Sequence, residues 1–174
     1  LAQMIEAGVT TFKIEGRLKD RDYVTNIVAY YRQLLDQLID SNTTLAQSST
    51  PSIYQYHFTP NPAKTFHRGQ TDYFLHGRTP NMPNWQTPKS TGEKIGKVFA
   101  TRHNSICVQL AHGITLHNGD GICYGDKGFA INRIEDDWIY PNLQPSSLEG
   151  RSGGSLPKVG TNLYRNLDNE FLRS

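Results

Sequence analysis

Phe12-Lys13-Ile14-Glu15-Gly16-Arg17-Leu18-Lys19 decides how the first part of the chain is read. Val9, Phe12 and Ile14 make a short apolar run, a glycine follows, and a long amphipathic pattern starts a few residues later. This order predicts a strand over 9–14 that feeds a helix. In open and closed α/β folds, polar residues just past the carboxyl end of a strand face the ligand site. Glu15 and Arg17 hold those positions, with Lys13 beside them. Gly16 gives the backbone freedom to lean both side chains towards one ligand. Glu15 and Arg17 are therefore candidate catalytic residues at the mouth of a site, and Lys13 is a candidate substrate contact. Position alone leaves a second reading open, in which the three side chains form surface ion pairs.

Upstream of this stretch, Leu1 to Ala7 reads as the end of a helix, with Gly8 as its stop. Asp20 is the N-cap of the next helix. That helix carries Val24, Ile27, Val28, Tyr31, Leu34, Leu35, Leu38 and Ile39 on one broad stripe, and Asp40-Ser41-Asn42 closes it. Helix–strand–helix is a piece of a parallel α/β layer, and a parallel strand takes neighbours on both sides. One such unit is too small to bury its own strand. The expectation is upstream strands, a partner chain, or docking onto the rest of the chain. The sequence starts at Leu1 rather than methionine and reads as cut from something longer.

The middle is irregular. Residues 43–52 are rich in serine and threonine and read as a linker. Ile53 to Phe58 alternates, with Tyr54, Tyr56 and Phe58 on one face. Prolines at 60, 62, 80, 83 and 88 exclude long regular elements. Between them, residues 65–78 interleave aromatics with arginine, a mix that suits bases and phosphates. Phe66, Tyr73, Phe74 and Leu75 read as packing residues, because buried aromatics are commoner than stacking platforms. Arg68 and Arg78 have no apolar role and stand as candidate substrate contacts.

The last part repeats short strand-like runs: 95–100, 106–111, 121–124, 129–134, 138–140 and 161–165. Asn104, Asn118-Gly119, Asp126 to Gly128 and Asp136-Asp137 supply turns between them. Close-spaced short strands predict a small antiparallel barrel. Leu116 to Ile122 echoes Pro157 to Leu163, each turning on a glycine into a new strand. Residues 144–155, rich in serine and glycine, read as a mobile loop before the last strand.

Composition bounds the partners. Lys and Arg number 18 against 16 Asp and Glu, a net charge of +2, so charge alone does not tie the chain to nucleic acid. No run is long enough to span a bilayer and no signal-peptide pattern is present. Cys107 and Cys123 make no disulfide framework, which points to a reducing cytoplasm. The six histidines and two cysteines show no metal-ligand spacing, so no metal site is expected. Cys107, inside an apolar strand, reads as a small buried residue. Cys123, beside a turn, reads either way. Asn118-Gly119-Asp120-Gly121 reads as a hairpin turn rather than a phosphate loop, because no helix follows it. No GxSxG is present.

Phe12 to Lys19, then Tyr23-Val24 and Ala29-Tyr30-Tyr31-Arg32, resembles the end of the main domain of peptidase family U32, the collagenase-like proteins. Phe66-His67-Arg68-Gly69 with Gly77-Arg78 resembles the family's downstream Arg-Gly motif, with His67 where relatives carry Asn or Ser. Residues 91–174 are similar to the small β-barrel of larger members, itself like the second domain of translation elongation factors. Leu163-Tyr164-Arg165-Asn166 with Asp168 fits its end.

The resemblance implies an α+β fragment. Residues 1–42 would be the helix–strand–helix edge of a parallel α/β barrel, 43–90 an irregular linker with the Arg-Gly motif, and 91–174 a small antiparallel β-barrel. It implies a larger parent enzyme that hydroxylates a base of ribosomal or transfer RNA with prephenate as co-substrate. This segment would support the site and dock the substrate, without being an enzyme by itself. The alternatives are a collagenase-like peptidase and a non-catalytic interaction module. The family's cysteine signature would lie before Leu1, so an iron–sulfur cluster, known in related members, is expected only upstream and no cofactor is expected here. The implied partners are the upstream α/β domain and RNA, with no membrane.

Overall fold

The computed structural model describes residues 1–41, 56–69, 71–78, 89–142 and 155–174. The expected linker over 43–52, residues 53–55, Pro80, Pro83, Pro88 and the loop over 144–154 lie outside the described residues. The chain divides into two compact units, Leu1–Pro62 and Ala63–Ser174.

In the first unit, helix α1 spans Ala2–Glu6 and helix α2 spans Arg21–Ser41. Gly8 stops α1 as its sequence suggests. It takes a φ of 92°, its N–H donates to Ile5 O at 2.9 Å, and the Val9 N–H donates to Met4 O at 3.0 Å. This pair of bonds is the Schellman closure, which favours a residue free to take positive φ. Asp20 caps α2, its Oδ1 accepting the Tyr23 N–H at 2.7 Å.

The strand expected over 9–14 is corrected: these residues join no sheet. A strand exists through its ladder, and no described residue pairs with them. The α2 stripe is helical as read, but Val24, Val28 and Tyr31 remain 39%, 46% and 44% exposed. Asn26 and Ala29 are the buried positions. The buried Asn26 amide is satisfied by backbone. It donates to Asn61 O at 2.7 Å and accepts the Asn61 N–H at 2.8 Å, holding Asn61 to the helix. Tyr56 and Phe58 share an edge-on ring contact at 6.2 Å.

In the second unit, all six expected strands form: β1 Glu93–Thr101, β2 Ile106–Leu110, β3 Gly121–Tyr124, β4 Lys127–Glu135, β5 Trp138–Asn142 and β6 Asn162–Leu167. They close an antiparallel barrel in the order β1-β2-β5-β4-β3-β6. Ile95, Val98, Ile106, Leu116, Ile122, Tyr124, Phe129, Ile131, Ile139 and Leu163 fill it. Alternation along the strands puts these residues inside, apart from Leu116, which comes from the crossing before β3, and register shifts in four of the strand pairs break it. At the first bulge, Gly96 has φ 154° and a Cβ there would lie 2.2 Å from Gln109 O, so only glycine fits.

The barrel is built from two similar halves, β1-β2-β3 and β4-β5-β6. Gly119 N–H donates to Ile131 O and Ile131 N–H to Asp120 O, each at 2.8 Å. Gly160 N–H donates to Val98 O at 2.8 Å and Val98 N–H to Thr161 O at 2.9 Å. Val98 and Ile131 also each precede a bulge in their strand. The echo between 116–122 and 157–163 is thus a repeated structural unit. One expectation is corrected. Asn118-Gly119 is a turn, with Asp120 N–H donating to His117 O at 3.1 Å, but it closes no hairpin. β2 pairs with β1 and β5, while β3 pairs with β4 and β6, so the chain crosses the barrel here instead of folding back.

One end of the barrel encloses charge. The Arg165 side chain is 4% exposed and meets Glu93 at 2.7 Å, Asp168 at 3.0 Å and Asp120 at 3.2 Å. It also donates to Thr115 O at 2.8 Å. Asp120 accepts the His117 N–H at 3.1 Å and the Asn169 N–H at 2.9 Å. Lys64 pairs with Asp168 from outside the strands. Burial works to lower the Arg165 pKa, but its bond to Glu93, the charge of Asp168 and its bond to Asp120 outweigh this and raise it. Burial likewise works to raise Asp168, and the Lys64 bond, the Phe171 N–H and Arg165 outweigh it, holding the carboxyl below its usual range.

Arg165→Ala is expected to cost about 3–5 kcal/mol in chemical denaturation, because it strands buried carboxylates without a partner; a loss below about 1 kcal/mol contradicts the network's role. Asp168 binds its proton more weakly folded than unfolded. Its contribution is full above the unfolded value of about 3.9 and is lost as pH falls through the lower folded value. Melting curves from pH 6 to pH 2 are expected to show an acid-side loss of stability that Asp168→Asn flattens.

Candidate functional site

Lys13, Glu15 and Arg17 are all solvent-exposed. Lys13 Nζ and Glu15 Oε1 pair at 2.8 Å, with side chains 85% and 68% exposed. Residues two apart on an extended segment share a side, which is what brings these two together. Arg17 begins a turn closed by the Lys19 N–H donating to Gly16 O at 3.0 Å. The positive φ of that turn falls on Leu18, at 61°, and not on Gly16. Leu18 is 96% exposed. Gly16 has a different role: a Cβ there would sit 3.0 Å from Val24 Cγ2, so the glycine lets the loop pass close to α2. A bulky residue held in the left-handed region without burial to favour it is the kind of local strain that clusters at ligand sites.

The second cluster lies in the other unit. Arg68 and Arg78 are exposed, each beside a glycine of positive φ, Gly69 at 97° and Gly77 at 110°. His67 anchors the segment. Its carbonyl accepts the Thr91 N–H at 2.8 Å and the Ser90 hydroxyl at 3.2 Å, just ahead of β1, and its Nδ1 accepts the Gly69 N–H at 3.3 Å. Arg68 is therefore carried on a backbone fixed to the barrel. The packing expected of Phe66, Tyr73, Phe74 and Leu75 is corrected: they are 37%, 60%, 41% and 56% exposed. Leu75 N–H donates to Asp72 O at 3.1 Å and Gly77 N–H to Phe74 O at 3.2 Å. Within these tight turns Tyr73 and Phe74 pack on each other, centroids 4.3 Å apart and planes tilted at 43°, and not into a core. The arginine–aromatic mix is thus presented to solvent.

Cys107 is half-buried rather than buried, facing outward opposite Trp138. The Cys123 thiol donates to Thr91 O at 3.6 Å, and burial pushes its pKa up against the opposing charge of Lys89. A raised pKa works against a nucleophilic thiolate. The two cysteines stand on strands that are not neighbours, and they do not fit the four-thiolate set of an iron–sulfur cluster. Among the described residues no group of three or more His, Cys, Asp or Glu side chains is placed to hold a metal. No helix among them is long and apolar enough to cross a membrane.

Sequence reading missed two stacks on the barrel's outside. The Arg102 guanidinium lies 3.7 Å from the Trp138 ring centroid and that of Arg133 4.1 Å from Tyr140. Their partners are set by strand pairing, with Tyr140 opposite Arg133, so nearness in sequence gave no signal for them.

The exposed Lys13–Arg17 loop between two helices, the glycine-flanked arginines and the closed barrel define a class. Residues 1–84, just under half of the chain, match the model of peptidase family U32. It is similar to the 23S rRNA 5-hydroxycytidine C2501 synthase of Escherichia coli (strain K12), with 38% identity over 157 residues, 85% of this chain and 24% of that protein. The chain thus spans about a quarter of that relative's length. No solved structure matches the chain.

The Lys13–Glu15 pair is too exposed to matter for folding, because surface pairs contribute about 0–1 kcal/mol. Lys13→Ala is expected to leave the thermal midpoint within about 2 °C of the parent; a larger drop would make the pair a structural clamp.

Proposed function

We propose that the complete gene product hydroxylates a base of ribosomal RNA, with prephenate as co-substrate, and that this segment lines and supports the path to its site. The observation that carries this is the match to the 23S rRNA synthase, which runs through most of the chain instead of stopping at the family segment. In this reading residues 1–42 are the closing edge of a parallel α/β barrel. Residues 9–14 become a strand once neighbouring strands are supplied, and the uncovered stripe of α2 packs on the same body. Residues 43–90 connect it to a barrel over 91–174 of the kind found in the second domain of elongation factors.

The roles follow from chemistry. Glu15 accepts or donates a proton at the mouth of the site. Arg17 and Lys13 hold anionic groups, and prephenate carries carboxylates that a guanidinium fork can take two-handed. Arg68 and Arg78 contact RNA phosphates from a backbone that their neighbouring glycines shape. Transfer RNA is the alternative substrate within the same chemistry. An iron–sulfur cluster, where the complete protein has one, draws its thiolates from outside these residues.

Mass spectrometry of ribosomal RNA from cells lacking the gene is expected to show loss of one hydroxylated cytidine. Complementation with Glu15→Ala or Arg17→Ala should restore about a hundredth or less of the modification, with unchanged protein levels because both side chains are exposed. Full modification in either variant overturns their roles. The family's name favours a second reading, a collagenase-like peptidase; gelatin cleavage with unchanged ribosomal RNA would select it.

A further inference from the structure

The two halves of the barrel provide an internal comparison. Val98 and Ile131 hold equivalent places, each bonded to a glycine turn and each followed by a bulge. Their neighbours are therefore equivalent as well. Where one half has Lys97 and Phe99, the other has Ala130 and Asn132. Where one turn has Lys158-Val159, the other has His117-Asn118. The same backbone is built without these lysines and exposed apolar groups, so folding does not require them.

The bulge between Lys94 and Gly96 makes this face. Residues three apart on a regular strand point to opposite sides, yet Lys94 and Lys97 are both exposed while Ile95 and Val98 are buried. Lys94 stands opposite Tyr164, and Lys97 lies between Asn162 and Gln109. The Lys158 turn is bonded onto β1 at Val98, and the Lys97 side chain runs past Gly160, its Cε 3.8 Å from where a Cβ would stand. Phe99 is 69% exposed and Val159 60%. The one acid on β1, β2 and β6 is Glu93, and its carboxylate is taken by Arg165 at 2.7 Å. The acidic turn Glu135-Asp136-Asp137 lies on none of these strands: it joins β4 to β5, and Glu135 pairs with Arg133 at 2.9 Å. The lysine face, whose one acid is already taken, complements a polyanion.

We infer that the β6–β1–β2 face of the barrel docks single-stranded ribosomal RNA. Lys94, Lys97 and Lys158 take phosphates, and the rings of Phe99 and Tyr164 receive unpaired bases. Lysines without an intervening acid favour phosphate, and an exposed ring among them adds what a purely ionic contact lacks. This inference rests on the reading that the complete protein acts on ribosomal RNA.

The test is filter binding of the complete gene product to a ribosomal RNA fragment over a series of salt concentrations. The parent is expected to bind with a steep salt dependence. The double variant Lys97→Ala/Lys158→Ala should bind more weakly, with a log–log salt slope shallower by about 1.5. Phe99→Ala should weaken binding about tenfold with the slope unchanged. Lys127→Ala, on the other half, should change neither. An unchanged slope in the double variant while the parent binds overturns this inference alone, as does an equal change from Lys127→Ala. Absence of salt-dependent binding by the parent overturns both this inference and the reading beneath it. Loss of an acidic protein partner in the double variant, with RNA binding intact, assigns the face to protein and also overturns it.

Discussion

Closing a six-stranded barrel of this size leaves one end where a cation is sealed among carboxylates, and the second unit depends on that arrangement. Arg165 has Glu93, Asp120 and Asp168 within 3.2 Å. The desolvation cost of burying so much charge is recovered only where every group has a partner. Here the partners come from both ends of the unit: Glu93 opens β1, Asp120 precedes β3, and Arg165 and Asp168 belong to β6 and the turn after it. The network therefore ties the first strand to the last. It also reaches Lys64 through Asp168, which is how the segment ahead of the Arg-Gly motif is attached to the barrel.

That attachment carries a functional consequence. The glycine-flanked arginines follow a stretch held to the barrel at two points, Lys64 to Asp168 and His67 to Ser90 and Thr91. Beyond these anchors the turns expose Tyr73, Phe74 and the arginines. A rigid frame that presents a short, exposed, charged and aromatic segment is the usual division between scaffold and recognition. The lysine face follows the same rule by different means. A repeated half-barrel supplies the backbone twice, and only one copy is decorated.

Much of the barrel was legible in the sequence because its information is local. Asn104, Asp126 and Asp136-Asp137 mark hairpins, and alternation marks the inward residues between them. Asp20 and Gly8 set the helix boundaries for the same reason, since a cap acts within a turn or two of the backbone. What escaped was set at a distance. The strand read over 9–14 needs a ladder that lies in other residues. The turn at 118–119 looked like a hairpin because turn chemistry does not say which strands it joins. Arg165 resembled any polar strand residue until the topology enclosed it. A spacing of three would put Lys94 and Lys97 on opposite faces of a regular strand, and only the bulge between Lys94 and Gly96 sets them on one. Of the candidate site, the residue types were readable and the exposure of its aromatics was not.

The two units differ in how far they satisfy themselves. The barrel buries ten apolar side chains in one cluster and gives each charged group of its sealed end a partner. In the first unit an apolar stripe on α2 stays in large part uncovered, Phe12 and Ile14 are 38% and 40% exposed, and a β-prone stretch has no ladder. Apolar surface left in water favours association at about 25 cal/mol per Å², and unpaired extended backbone adds hydrogen-bonding groups that seek a sheet. Both deficits fall on the segment that carries Lys13, Glu15 and Arg17. A loop whose flanking strand and helix are completed by further structure is a loop whose geometry that structure sets. On the proposed reading, in which residues 9–14 gain neighbouring strands, the positions of Glu15 and Arg17 are a property of the completed sheet, and the Lys13–Glu15 pair is the arrangement these side chains adopt before anything competes for them.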